Sequence, residues 1–194
     1  MNKVLSEGKS LNCFLQSRDE INQATSEIQN YGLLQHGLSC KNWDIIRILP
    51  RIGDGNFCDL GADGSFILQN LVLCGHTGLK YGIDLMFSGD KTDGEIKYFK
   101  GDLMQTPFED GLFNTLTCLS VVEHSVDYNK LADECSRLLA PNGQLFLTCD
   151  YFICEDHLRD KFKRLENIED TNTQYRRLWT KDVFKYAPLF NEVD

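Results

Sequence analysis

The pattern of apolar and polar positions changes character near residue 57. Before it, apolar residues recur at helical spacing through Ile21, Ala24, Ile28 and Leu33-Leu34 without a strand-like run, so residues 1–50 read as a helical lead-in. Within it, Trp43 to Leu49 forms a second, short amphipathic helix, ended by Pro50 and the turn-rich Gly53-Asp54-Gly55-Asn56. From residue 57 onward, short apolar runs alternate with segments of helical period. Strands are expected at Phe57–Leu60, Lys80–Asp84, Ile96–Lys100, Leu112–Ser120 and Gln144–Cys149, and helices at Ser65–Leu73 and Asn129–Leu139. The fourth of these strands is almost continuously apolar, as a strand covered on both faces requires. Phe87 to Glu95 is too short and polar for a helix and reads as an irregular connection, and Pro141-Asn142-Gly143 reads as a turn. The alternation predicts an α/β fold: a doubly wound, mainly parallel sheet with helices on both faces and right-handed crossovers. Beyond residue 150, Glu155 to Glu166 reads as a charged helix, Asn167 to Gln174 as a polar loop and Lys181 to Tyr186 as a short helix before Pro188.

Composition narrows the picture without changing it. The chain has 194 residues, 42% of them hydrophobic and 25% charged, which suits one soluble domain made of the lead-in (1–50), a core (57–150) and a C-terminal segment (151–194). Its net charge of −9 argues against nucleic acid as a partner, because phosphate contacts need a basic face. Several of the eight cysteines lie inside apolar runs, which favours reduced, buried thiols and a cytoplasmic protein over a disulfide framework. Cys149, Cys154 and His157 match no common zinc spacing, so no metal site is expected. No apolar run reaches the ~18 residues of a membrane span, and the N-terminus lacks the apolar core of a signal peptide.

The densest chemical signal is Asp59-Leu60-Gly61-Ala62-Asp63-Gly64-Ser65, between the first strand and the first helix of the alternating region. A parallel βαβ unit aims helix-end N–H groups and strand-end side chains into one crevice, and an acidic residue at the end of the next strand can accept from ribose hydroxyls. Asp84 ends that next strand, 23 residues after Gly61, close to the roughly 20 expected. The loop lacks the full G-x-G-x-x-G of a dinucleotide site, so it points to an adenosine-bearing ligand without choosing one.

Later segments choose. Gly101-Asp102-Leu103, Pro107-Phe108-Glu109-Asp110, Leu119-Ser120-Val121-Val122-Glu123-His124 and Leu139-Ala140-Pro141-Asn142-Gly143 follow in order, and over residues 57–150 the chain resembles class I S-adenosylmethionine-dependent methyltransferases of the type 11 kind. The resemblance implies a Rossmann-like fold, S-adenosylmethionine as cofactor and S-adenosylhomocysteine as product. It implies that Gly61, Ala62 and Gly64 let the backbone approach the methionine and ribose portions, and that Asp59 buttresses this loop or meets the amino group. Asp84, with Leu85 beside it, would take the ribose; Asp102 and Leu103 would sit at the adenine; Ser120 would lie near the reactive end. His124 and Asp150 are the candidate catalytic bases for a hydroxyl acceptor. Residues 151–194 would build the acceptor side for a small molecule, such as a sugar or another biosynthetic intermediate, with Tyr151, Phe152, Tyr175 and Trp179 offering stacking surface.

Two departures from the family pattern leave alternatives open. Asp63 stands where a glycine is common, and of the usual seven strands only the start of the sixth, around Phe190 to Val193, is legible. The C-terminal strands are therefore expected to be incomplete, through truncation, natural shortening or completion by a partner copy that covers the sheet edge. A catalytically silent interaction module and an NAD(P)-dependent dehydrogenase are the competing readings.

Overall fold

The computed structural model describes residues 15, 17–124 and 126–149. Helix α1 (Arg18–Asn30) begins at a reciprocal cap, in which the Ser17 hydroxyl accepts from the Glu20 N–H while the Glu20 carboxylate accepts from the Ser17 N–H. Its apolar stripe buries Ala24 and Ile28, as the helical spacing predicts. Helix α2 (Cys40–Ile48) buries Trp43, Ile45 and Ile48 and packs on α1. Pro50 does not stop the chain abruptly. It lies inside a 3-10 turn at Leu49–Arg51, where its missing N–H costs nothing.

Strand β1 (Phe57–Leu60), helix α3 (Ile67–Leu73) and strand β2 (Lys80–Asp84) then form a parallel βαβ unit. Helix α3 starts two residues later than the periodicity suggests, because Gly64 at φ +73° turns the chain before the helix and the Ser65 hydroxyl accepts from the Ile67 N–H. The segment expected to be irregular contains a strand, β3 (Lys91–Asp93), antiparallel to β4 (Ile96–Lys100) and joined to it through Gly94 at φ +56°. All three β3 residues are exposed, so no apolar alternation marked it.

Strand β5 (Phe113–Leu119), helix α4 (Tyr128–Leu138) and strand β6 (Leu139–Thr148) complete the described sheet. Pro141-Asn142-Gly143 is a bulge inside β6 and not a turn before it: β6 pairs Leu139 with Phe113 and then Gln144 with Thr115, and the extra residues loop out at Asn142, φ +62°. The sheet order is β3-β4-β2-β1-β5-β6, parallel everywhere except β3. The expected doubly wound, Rossmann-like sheet is therefore present, with its topological switch point between β1 and β5. The expected strand near Phe190 lies outside the described residues.

Buried apolar side chains form two groups. Phe57 belongs to one, with Ile28, Ile45, Ile48, Ile67, Leu68 and Leu71 of the helices; Cys58 and Leu60 belong to the other, with Leu116, Leu131, Cys135 and Leu138. Neighbouring residues of a strand face opposite sides, so the two groups cover the two faces of the sheet. Tyr81, Phe99, Phe108 and Phe113 meet in tilted and edge-on ring contacts at 4.9–5.7 Å within the second group.

Candidate functional site

Because β1, β2, β4 and β5 are parallel, their carboxyl ends share one edge of the sheet. Gly61 and Ala62 follow β1, Asp84 ends β2, Gly101-Asp102 follows β4 and Ser120 follows β5. The residues singled out in the sequence thus come to one edge, at the switch point where open α/β sheets bind ligands.

The glycine loop hangs from the end of β2. The N–H groups of Gly61 and Ala62 both donate to the Ile83 carbonyl, at 2.8 and 3.1 Å, and the Asp63 N–H donates to Asp84 Oδ2 at 3.0 Å. Gly61 has φ +85°, and a Cβ there would stand 2.3 Å from a Val121 methyl, so only glycine fits. A Cβ at Gly64 would meet nothing within 4 Å. Asp63 is exposed and is not among the described non-glycine residues with positive φ, so its backbone makes no demand that only glycine meets.

Asp84 is half-buried, and its other oxygen accepts from the Met86 N–H at 2.8 Å. A carboxylate offers about four lone-pair sites, so a ligand's hydroxyls can share it with these two amides. Leu85 and Met86 beside it are exposed, at 61% and 78%. Asp102 Oδ1 accepts from the Met104 N–H at 2.8 Å, while Leu103 turns inward and packs in the core.

Asp59 is fully enclosed. The Thr117 hydroxyl donates to its Oδ1 at 2.6 Å. Burial pushes the carboxyl up to about 6; hydrogen bonding to Thr117 and Ser65 opposes the rise and the charge of Asp84 adds to it. Ser65 acts here without closing a hydrogen bond of full geometry, because Oδ2 is buried with no partner among the described residues. Such an oxygen is costly unless something positive or hydrogen-bond donating reaches it.

Past the switch point, Ser120 is held at φ +55°, with its N–H donating to the Thr148 carbonyl at 2.9 Å. Lys41 reaches across from α2 and donates to Ser120 Oγ. His124 is exposed, its N–H turned back onto the Val121 carbonyl at 2.9 Å, and Glu123 beside it is buried. Asp150 and the aromatic residues expected on the acceptor side lie outside the described residues.

Two features went unread in the sequence. Glu134 and Arg137, one turn apart on α4, clamp the loop after β4: Glu134 Oε1 accepts from the Thr106 N–H and hydroxyl at 2.7 and 2.6 Å, and Arg137 donates to Glu134, the Phe108 carbonyl and Asp110. These bonds outweigh desolvation and lower the Glu134 carboxyl to about 2. On the other face, Asn70 of α3 is fully buried and fastens the loop before α2, accepting from the Leu34 N–H at 2.7 Å and donating to the Leu34 carbonyl at 3.0 Å. The acidic residue one turn before an arginine was the available signal for the first. Nothing local marked the second.

Residues 61–147 match the family model of the methyltransferase domain. Over those residues the chain is similar to the methyltransferase domain family, and its sheet has the class I methyltransferase fold. No curated protein matches the sequence significantly. The domain is similar in structure to a candidate methyltransferase of Bacillus halodurans C-125, with 19% identity, TM-score 0.57, and 77% of this chain and 68% of that one covered. It is also similar to a candidate methyltransferase solved in complex with the Haloferax volcanii Trm112 methyltransferase activator, at 15% identity and TM-score 0.55 over 93% and 77% of the two chains. A third likeness is to Haemonchus contortus phosphoethanolamine N-methyltransferase 2, solved with phosphomonomethylethanolamine and S-adenosylhomocysteine, at 14% identity and TM-score 0.55. There the overlap covers 93% of this chain and 44% of that one. At these identities the structural likenesses speak for the shared fold of the methyltransferase domain.

Proposed function

We propose that this chain binds S-adenosylmethionine across the β1–β5 switch point and transfers its methyl group to a small-molecule acceptor, releasing S-adenosylhomocysteine. The supporting observation is the register of carboxylates at one sheet edge: Asp59 behind the glycine loop, Asp84 at the end of β2 and Asp102 after β4. The cofactor, when bound, supplies a methyl group made electrophilic by a sulfonium. The protein's part is then to hold, align and exclude water.

The donor set fits such a ligand. Asp59 Oδ2, buried without a partner among the described residues, suits a ligand ammonium at the loop. Asp84 has acceptor capacity for ribose hydroxyls beside the two amides it already serves. Asp102 is assigned the exocyclic amine of adenine, with Leu103 beside it at the ring, and Leu85 stands next to Asp84 on the ribose side. Ala62 and Gly64 keep side chains out of the loop's path, and Ser120 stands at the reactive end. His124 is placed as a general base for a hydroxyl acceptor, with Asp150 as the second candidate.

Calorimetric titration with S-adenosylmethionine, S-adenosylhomocysteine and NAD tests the reading. Micromolar binding of the first two and none of NAD is expected. Binding of none would favour a silent interaction module, and binding of NAD alone a dehydrogenase. Asp84→Ala should weaken S-adenosylhomocysteine binding by about 1–3 kcal/mol, the cost of lost hydrogen bonds to a charged group. An unchanged affinity in the folded variant would reject the ribose role.

A further inference from the structure

We infer that helix α4 sets the base selectivity of the ligand edge: Glu134 and Arg137 are positioning residues that hold the loop after β4 so that Asp102 meets an exocyclic amine, favouring a 6-amino purine over a 6-oxo one. The inference rests on the methyltransferase reading of that edge. Loop and helix lie side by side although strand β5 separates them in the chain. At the helix start, the Asp127 N–H donates to Met104 Sδ at 3.3 Å. Further along, Glu134 Oε1 accepts from the N–H and hydroxyl of Thr106. In the last turn, Arg137 donates to the Phe108 carbonyl and to Asp110, and its own carbonyl accepts from the Gly111 N–H at 2.8 Å. Successive loop positions are thus tied to successive turns of α4.

The tie reaches Asp102 through a tight turn. The Gln105 N–H donates to the Asp102 carbonyl at 3.1 Å, and the Met104 N–H donates to Asp102 Oδ1 at 2.8 Å, so the backbone at 104–105 aims the carboxylate. That backbone is fixed on one side by Leu103, packed in the core, and on the other by Thr106, held by Glu134. No described residue donates to Asp102 Oδ2, which leaves it with acceptor capacity for a ligand amine. Neither Glu134 nor Arg137 hydrogen-bonds to Asp102, so their effect on a ligand passes through the loop.

The chemistry of the clamp suits a fixed orientation. Arg137 Nε and Nη2 meet the two oxygens of Glu134 at 2.9 and 2.7 Å, a planar fork of charge-assisted bonds that resists rotation of either side chain. A carboxylate held in one direction accepts from a 6-amino group. Against a 6-oxo group it faces another acceptor and goes unpaired. A carboxylate on a loosened loop can turn away from the oxo group, so discrimination between the two bases falls as the clamp is weakened.

The test titrates the full chain, Glu134→Ala and Arg137→Lys by calorimetry with S-adenosylhomocysteine and with its 6-oxo analogue, S-inosylhomocysteine. The parent is expected to prefer the amino form by about tenfold or more, and each variant to keep roughly a third of that preference or less. A variant that is merely less stable weakens both ligands alike, so an unchanged ratio overturns the inference. Arg137→Lys, which keeps the charge and loses the fork, carries the comparison if Glu134→Ala does not fold. A double-mutant cycle with Asp102→Asn separates positioning from an effect elsewhere: in that background the preference should already be lost and should not respond to Glu134→Ala. A response that persists there overturns the inference. A parent that binds both purines equally overturns it too, while leaving cofactor binding in place. A parent that binds neither sinks the methyltransferase reading and this inference with it.

Discussion

Asp59 shows how a single enclosed side chain can lower stability at neutral pH. Its pKa rises from 3.8 to about 6 because burial disfavours the charged form more than Thr117 and Ser65 favour it. A folded-state value above the unfolded one means that the contribution to stability is complete below about pH 3.8 and is lost as pH climbs through 6. A shift of that size corresponds to about 3 kcal/mol. Urea unfolding of Asp59→Asn between pH 4 and 7 should therefore give a flatter stability curve than the parent, with the variant relatively more stable at neutral pH. Parallel curves would mean that the carboxyl is not enclosed as described. Asp59 was legible in the sequence because a carboxylate two residues before a glycine turn ends an apolar strand. Thr117 was not, since a threonine inside Leu112–Ser120 reads as one more β-branched position.

At the level of elements, β1, β2 and β4 begin and end where their apolar runs do, because each run is bounded by turn residues and buried by helices that the same alternation predicts. The failures have specific physical causes. Strand β3 is an edge ribbon of Lys91-Thr92-Asp93, stabilised by a tight turn and not by burial, so hydrophobic patterning has nothing to register. The bulge in β6 carries a proline and a glycine, residues that signal a turn and a bulge alike. Lys41–Ser120 and Asn70–Leu34 join distant parts of the chain, and no local period encodes such pairs. The α4 clamp lends itself to measurement. Glu134 titrates at about 2 in the fold against 4.5 as a free side chain, so its contribution is present above pH 4.5 and disappears as pH falls toward 2. Glu134→Gln should cost about 1.5–3 kcal/mol at neutral pH, by weakening charged hydrogen bonds to Thr106 and Arg137, and should lose less stability than the parent on acidification. Denaturant midpoints at pH 7 and pH 3 check both; equal acid sensitivity would remove the clamp as an explanation.

Across the whole described molecule, a two-faced core hides thiols. Cys58, Cys118 and Cys135 are buried and free, and enclosure pushes the Cys135 thiol up to about 12 and the other two well above the ordinary value. Cys74 is exposed. A brief pulse of alkylating reagent, read by peptide mass spectrometry, should label Cys74 within the native state and reach the three core thiols only on unfolding. Early labelling of Cys118 would contradict the packing of β5 between its neighbours. No helix among the described residues is long and apolar enough to cross a membrane. Asn70 carries its own implication for how such a molecule can change. Since it holds the backbone of Leu34 and no side chain, position 34 within the segment 33–38 can vary in identity while its path stays fixed. His36 within that segment lies edge-on to Phe66, directly after the glycine loop. The chain thus has a position near the carboxyl edge of its sheet where evolution can rewrite chemistry without renegotiating the fold.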